Sequence, residues 1–212
     1  MMRVTEPMTM ITDYVMGALA LVLAARLLNV GVAFHRTSVT LFALTFLMTA
    51  VAALVGGSYH GFVQMVPIPA ARVMWKVTLV ATGIGSASLL AGAIYAGTIG
   101  TWQRLLLAVV LIKLATYLWW ISSHDDFVFV IADYGSALVG LLVLSSVMRP
   151  SGLTPAAAWF AAGVAVSAVA GLIQYFKLAP HPRFNHNDLF HVVQMLALYL
   201  LFRGGALLRD MG

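Results

Sequence analysis

Cysteine is absent from the 212 residues and charge is scarce, with 9% Asp, Glu, Lys or Arg. Without cysteine there is neither a disulfide framework nor a thiolate metal site, so any metal must be held by histidine, carboxylate or water. So little charge, against 62% hydrophobic residues, excludes a water-soluble domain, because too little polar surface exists to cover one. The net charge of +5 does not point to nucleic acid: the basic residues stand singly between apolar runs, as interfacial anchors and topology signals do. No internal repeat, low-complexity tract or soluble domain is visible. The first apolar run, after Arg3 and Glu6, has no small-residue cleavage site behind it and is expected to be a retained helix.

What the chain has in abundance is apolar stretches of spanning length, for which about 20 residues suffice to cross a ~30 Å hydrocarbon core. Seven can be drawn, at 11–34, 39–66, 73–95, 102–121, 127–148, 155–176 and 186–208, with Pro67 and Pro69 separating the second from the third. The expected fold is all-α, a polytopic membrane protein forming one seven-transmembrane-helix bundle. Ser123 ahead of Asp126, and Asn185 ahead of Asp188, have capping-box spacing, while Thr154-Pro155 reads as a cap and first-turn proline. The third and sixth spans are rich in small residues (Gly83, Gly85, Ser88, Gly92; Ala161, Ala162, Gly163), which predicts inner, closely packed helices.

Seven spans put the termini on opposite sides. Arg26, Arg36, Arg104, Arg149, Arg203 and Arg209 fall on the C-terminal side, and Arg3, Arg72, Lys76, Lys177 and Arg183 on the other. The positive-inside rule then places the C-terminus in the cytoplasm, by six basic residues against five.

Once the spans alternate in direction, the polar residues inside them converge on the leaflet nearer the N-terminus. Asp13 opens the first span, His60 ends the second, Lys113 lies in the fourth and Asp133 about two turns into the fifth. Gln174 and Tyr175 close the sixth, and His186, Asp188, His191 and Gln194 begin the seventh. Ionisable groups at such depth normally face a cavity or one another. The convergence therefore predicts a polar cavity open to the N-terminal side. Plainer roles are available to several members: Asp188 as a capping-box carboxylate, Lys113 with Asp133 as a structural ion pair, and Ser58 as a small packing residue. Imidazoles from separate helices beside a carboxylate are what a catalytic zinc site requires, with one position left for water whose pKa the metal lowers to about 7. His60, His186 and His191 are the candidate metal ligands, and Asp133 or Asp188 would orient the water or shuttle its proton. His186 lies five positions from His191, roughly 140° round a helix, and joins the same metal only through an irregular first turn.

Seven spans with Ser58 and His60 ending the second, an intramembrane Asp133, and His186 and His191 opening the seventh resemble the superfamily of alkaline ceramidases and progestin/adiponectin receptors. The resemblance implies three zinc-binding histidines, an Asp and a Ser beside the activated water, and hydrolysis of a lipid amide. Ser58 and His60 would be the second-helix pair, and His191 in Asn-Asp-Leu-Phe-His-Val the later seventh-helix histidine. The chain departs from that pattern in three places. Ser58 and His60 are two residues apart where the family usually has four, Asn187 holds the earlier seventh-helix position beside His186, and the Asp lies on the fifth span instead of the third. Glu6-Pro7, Thr12-Asp13-Tyr14, Gly57-Ser58-Tyr59-His60-Gly61 and Asn185-His186-Asn187-Asp188 also look like an uncharacterised bacterial membrane family, which implies the bacterial plasma membrane.

The expectation is a zinc-dependent membrane hydrolase of a lipid amide or ester, with Ser58, Asp133 and Asp188 as catalytic residues and membrane lipids as partners. Two alternatives stand beside it. One is a haem-binding electron carrier with His60 and His191 as axial ligands, the other a proton-coupled transporter using Asp133 and Lys113.

Overall fold

The structure, a computed structural model, describes residues 4–148 and 150–211. Arg3 and Arg149, both counted in the charge comparison, lie outside the described residues. Among the described residues seven helices follow one another: α1 (Pro7–Ala33), α2 (Thr37–Phe62), α3 (Ile68–Gly97), α4 (Gly100–Ser123), α5 (Val128–Val147), α6 (Ala157–Tyr175) and α7 (His186–Gly205). A 3-10 turn at Thr154–Ala156 leads into α6. The first six helices are long and apolar enough to cross a bilayer, which makes this a multi-pass membrane protein. The seventh, at 20 residues, is about 30 Å long. It is less apolar because its first turns carry His186, Asn187, Asp188, His191 and Gln194. Asp188, His191, Gln194, Leu198, Leu201 and Gly205 recur every three or four residues and are buried, so one face of α7 is turned inward.

Local chemistry sets the boundaries. α2 stops at Phe62, short of the expected 66, because the chain turns ahead of Pro67. α3 then starts at Ile68 instead of 73: Pro69 sits in its first turn, where a missing N–H is no loss. The Asn185 box forms, its side chain accepting from the Asn187 and Asp188 amides while Asp188 accepts from the Asn185 amide. Ser123 does not cap α5 as its spacing suggested. It ends α4, and the Val128 amide donates to Asp126 Oδ1 at 2.9 Å.

Six helices close a ring in the order α1, α2, α3, α5, α6, α7, with α7 returning to pack on α1. α4 lies outside it, against α3. The small residues of α3 do make it the most enclosed helix, whereas α6 keeps much of its surface outward, so composition alone over-read α6. At Gly92 of α3 the close approach is to backbone: a Cβ there would lie 2.8 Å from the Ser38 carbonyl oxygen and 3.3 Å from the Phe42 nitrogen of α2. Gly92→Leu is therefore expected to destabilise the bundle by at least the ~1–3 kcal/mol typical of overpacking. Thermal unfolding followed by circular dichroism checks this, with Gly135→Ala as the control expected to lose no stability, since a Cβ at Gly135 meets nothing within 4 Å.

Away from the ring, α4 is pinned by polar contacts. Lys113 Nζ pairs with Asp133 Oδ1 at 2.5 Å, and Ser86 accepts from Lys113 at 2.9 Å while donating to Asp133 Oδ2 at 2.6 Å. Tyr117 fits its ring over Gly83 and donates its hydroxyl proton to the Leu79 carbonyl at 3.0 Å. Lys76 donates to the Ile121 and Ser122 carbonyls that end α4. At the opposite end of the bundle α2 has no side-chain cap from its own neighbourhood. Its Thr37 and Ser38 amides donate instead to the Asp210 carboxylate, at 2.7 and 2.9 Å.

Candidate functional site

The ring encloses a cavity of about 570 Å³, lined by residues from every helix except α4. That size is within the ~300–1,000 Å³ range of small-molecule sites. Thr49 and His60 both line it from α2, so it runs roughly 16 Å along the bundle axis at 1.5 Å per residue. The deep half is mostly apolar, with Met16, Ala53, Leu138 and Val164 among its walls and the Thr49 hydroxyl donating to the Thr45 carbonyl of its own helix. The shallow end carries Asp13, His60, Gln174, Asn187, His191 and Gln194.

Three elements assemble the polar end. α1 contributes Thr9, Thr12 and Asp13, whose spacing of three and four turns them toward α7. The capping box fixes the start of α7, and Thr9 fastens it to α1 by donating to Asp188 Oδ1 at 2.8 Å. His191, buried one turn later, is held at both nitrogens. Nδ1 lies 2.9 Å from Thr12 Oγ1, and Nε2 lies 3.1 Å from Asp13 Oδ1. The Thr12 hydroxyl also lies 3.1 Å from the Thr9 carbonyl oxygen. If Thr12 donates to Nδ1, the imidazole proton is on Nε2 and points at Asp13. If Thr12 donates to Thr9, Nδ1 carries a proton and the contact of Nε2 with Asp13 needs another. In either arrangement a proton lies between Asp13 and His191. The second Asp13 oxygen, Oδ2, has no hydrogen-bonding partner among the described residues, and Asp13 faces the cavity.

His60 reaches the same cavity from α2 and has Glu6 Oε2 at 3.2 Å from its Nδ1. The segment before α1 is drawn against the end of α2, the Thr5 amide donating to the Gly61 carbonyl and the Glu6 amide to that of His60. These bonds satisfy carbonyls that a helix terminus otherwise leaves open. Aromatic rings join the two histidines: His60 and Tyr59 pack on Trp75, Trp75 on Phe127, Phe127 on Phe190, and Phe190 on His191, with centroids 5.1–6.4 Å apart.

Of the six residues that the sequence offered as catalytic or metal-binding, His60 and His191 therefore share one cavity, and Ser58, Asp133, His186 and Asp188 do not line it. Asp133 turns away into the Lys113 and Ser86 cluster, where both carboxylate oxygens are engaged. Ser58 is 3.0 Å from the Tyr14 hydroxyl and donates to the Leu54 carbonyl at 2.8 Å. Asp188 serves the capping box and Thr9. His186 is the first residue of α7, and the first turn is regular, which keeps it round the helix from His191. Among the described residues no three His, Asp or Glu side chains are disposed to hold one metal ion. The donor set thus does not fit the zinc centre the sequence suggested, since both His191 nitrogens and Nδ1 of His60 already have partners. The same engagement of His191 speaks against its service as a haem axial ligand, which needs a nitrogen for iron. Thr9 and Thr12 are site residues that sequence reasoning missed, and Asp13, placed at the right depth, was not paired with His191.

The wall of the cavity is thinnest at the loosely packed seam between α5 and α6, where the lining residues Val139 and Leu172 are 59% and 54% exposed. Gly135 and Gly171 lie along this seam. A Cβ on the first meets nothing within 4 Å, and on the second only Ile131 Cγ2 at 3.9 Å.

Fold and cavity define a polytopic helical membrane protein whose ring of helices encloses an amphipathic pocket, thin-walled between α5 and α6, with a carboxylate and imidazole pair at one end. The chain belongs to DUF6962, a family of unknown function, which it matches over residues 8–210. No curated protein and no solved structure matches it.

Proposed function

We propose that this protein is a membrane-embedded hydrolase that takes a single-chain lipid ester or amide from the bilayer and cleaves it at the Asp13–His191 pair. The observation that carries the reading is the cavity itself, mostly apolar over its depth, thin-walled between α5 and α6, and ending at a buried carboxylate paired with a buried imidazole. The acyl chain lies along Met16, Leu138 and Val164, and the carbonyl stops at the polar end. A water on Asp13 Oδ2 gives its proton to the Asp13–His191 pair as its oxygen attacks that carbonyl. The same proton passes to the departing alkoxide or amine, leaving a fatty acid and an alcohol or amine. Thr12 and the aromatic belt hold the imidazole, so orientation is set before substrate arrives. On this reading the chain sits in the bacterial plasma membrane with a cytoplasmic C-terminus, which reporter fusions at each end check.

The test is release of free fatty acid from ester and amide lipids of matched chain length by protein in nanodiscs, read by mass spectrometry. Release that disappears in His191→Ala supports the proposal; no release from any ester or amide rejects it. Zinc analysis of the same preparations tests the metal-dependent form of the reading, which requires stoichiometric metal lost in His60→Ala and His191→Ala. Access makes a separate prediction. Gly171→Leu, which fills the seam, is expected to lower kcat/KM for a long-chain substrate about tenfold, some 1.4 kcal/mol, while a short-chain, water-soluble ester is unaffected. Equal losses for both substrates would remove the seam as an entrance.

A further inference from the structure

The chemistry at the polar end selects among lipid head groups. No lysine or arginine lines the cavity among the described residues, so a phosphate or carboxylate head would meet no fixed cation there. What it would meet is acceptors. Among the described residues Asp13 Oδ2 has no partner, and Gln174 Oε1 is buried without a hydrogen bond, its amide nitrogen being spent on Asn187 at 2.9 Å. The Tyr134 hydroxyl, which lines the same cavity from α5, is also buried without a partner among the described residues and can donate or accept. Unpaired buried acceptors are unfavourable until a donor arrives. Around them stand Trp75, Phe127, Tyr175 and Phe190, all lining the cavity. Aromatic faces beside a carboxylate form a setting that attracts an organic cation, through ring quadrupole and charge together.

We propose that the lipid bound here carries an ammonium head: the open acceptor of Gln174 takes its N–H, and the rings of Trp75, Phe127 and Phe190 with the nearby charge of Asp13 hold the cation, forming a site for a long-chain amine that leaves Asp13 Oδ2 to water. The proposal rests on the lipid-binding part of the reading above and adds the class of head group to it. A neutral alcohol head can donate one hydrogen bond to Asp13 or Gln174 but gains nothing from the rings. An acidic head is repelled by Asp13, and by Glu6 beside His60.

The experiment uses the full chain in zwitterionic nanodiscs, with empty nanodiscs subtracted for partition. Three probes of one chain length, hexadecylamine, hexadecanol and palmitate, are titrated by calorimetry. The amine is expected to bind about tenfold or more tighter than the alcohol, with palmitate weakest. Asp13→Asn brings amine and alcohol to within about threefold of each other, and Trp75→Leu lowers the affinity for amine alone by about fivefold. The second variant keeps the test decisive if the first does not fold. Equal or tighter binding of alcohol or palmitate by the unmodified chain overturns the ammonium assignment while the lipid site stands. Failure of all three probes to bind overturns the lipid site itself.

Discussion

Asp13→Asn is expected to reduce lipid hydrolysis about 10²–10⁴-fold, the usual contribution of a positioned acid or base. An asparagine is nearly the same size and can still accept a hydrogen bond from His191 Nε2. The fold and the apolar part of the cavity should persist, so hexadecanol binding is expected to change little. What is lost is the capacity of the pair to take a proton from water and return it to the leaving group. His191→Gln should fall as far, for it breaks the contact from the other side and releases Thr12 as well. The measurement is single-turnover fatty acid release at saturating substrate, which reads the chemical step apart from binding. Activity within about threefold of the unmodified protein in both variants would take the Asp13–His191 pair out of the reaction.

Lys113→Met is expected to weaken the bundle by about 3–5 kcal/mol, because it leaves Asp133 buried among apolar helices without its counter-charge. The double change Lys113→Met with Asp133→Leu is expected to recover most of that loss, since an apolar pair of similar volume avoids the desolvation of both ions. Ser86 also loses two partners in the double variant, but it can turn to a carbonyl of its own helix, as Ser88 does with Ile84. Reversible unfolding in mixed micelles gives all three values. Hydrolysis by the refolded double variant should match the unmodified protein, because the cluster stands outside the cavity wall. A double variant that folds well and has lost turnover would move Asp133 back among the functional residues. This outcome also bears on the transporter alternative, which needs Asp133 free to exchange a proton.

Much of the fold was legible because depth in a membrane is written along the sequence. Seven apolar runs gave seven helices, and the misplaced boundaries are those where a turn or proline decided the matter, as at Phe62 and Ile68. The collection of polar groups at one end was legible for the same reason. What hydropathy does not carry is the direction in which a side chain leaves its helix. Asp133 and His191 lie at comparable depth, yet one looks into the α3, α4, α5 junction and the other into the central cavity. Asp188 illustrates the same limit, being close to His191 along α7 and wholly committed to starting that helix. Thr9 and Thr12 left no signal, since single threonines in an apolar run read as packing residues until a partner 179 positions away is brought beside them. Nor could composition rank α3 and α6, because small residues allow close approach without saying which neighbour approaches.

The cap of α2 has a bearing on assembly. An element made early in synthesis has its first amides satisfied by a carboxylate 173 positions further along. Until residue 210 has been translated and folded back, the opening turn of α2 must make do with water or lipid head groups. Chains truncated before that point should insert all their spans and yet leave this end frayed, detectable as rapid amide exchange at Thr37 and Ser38.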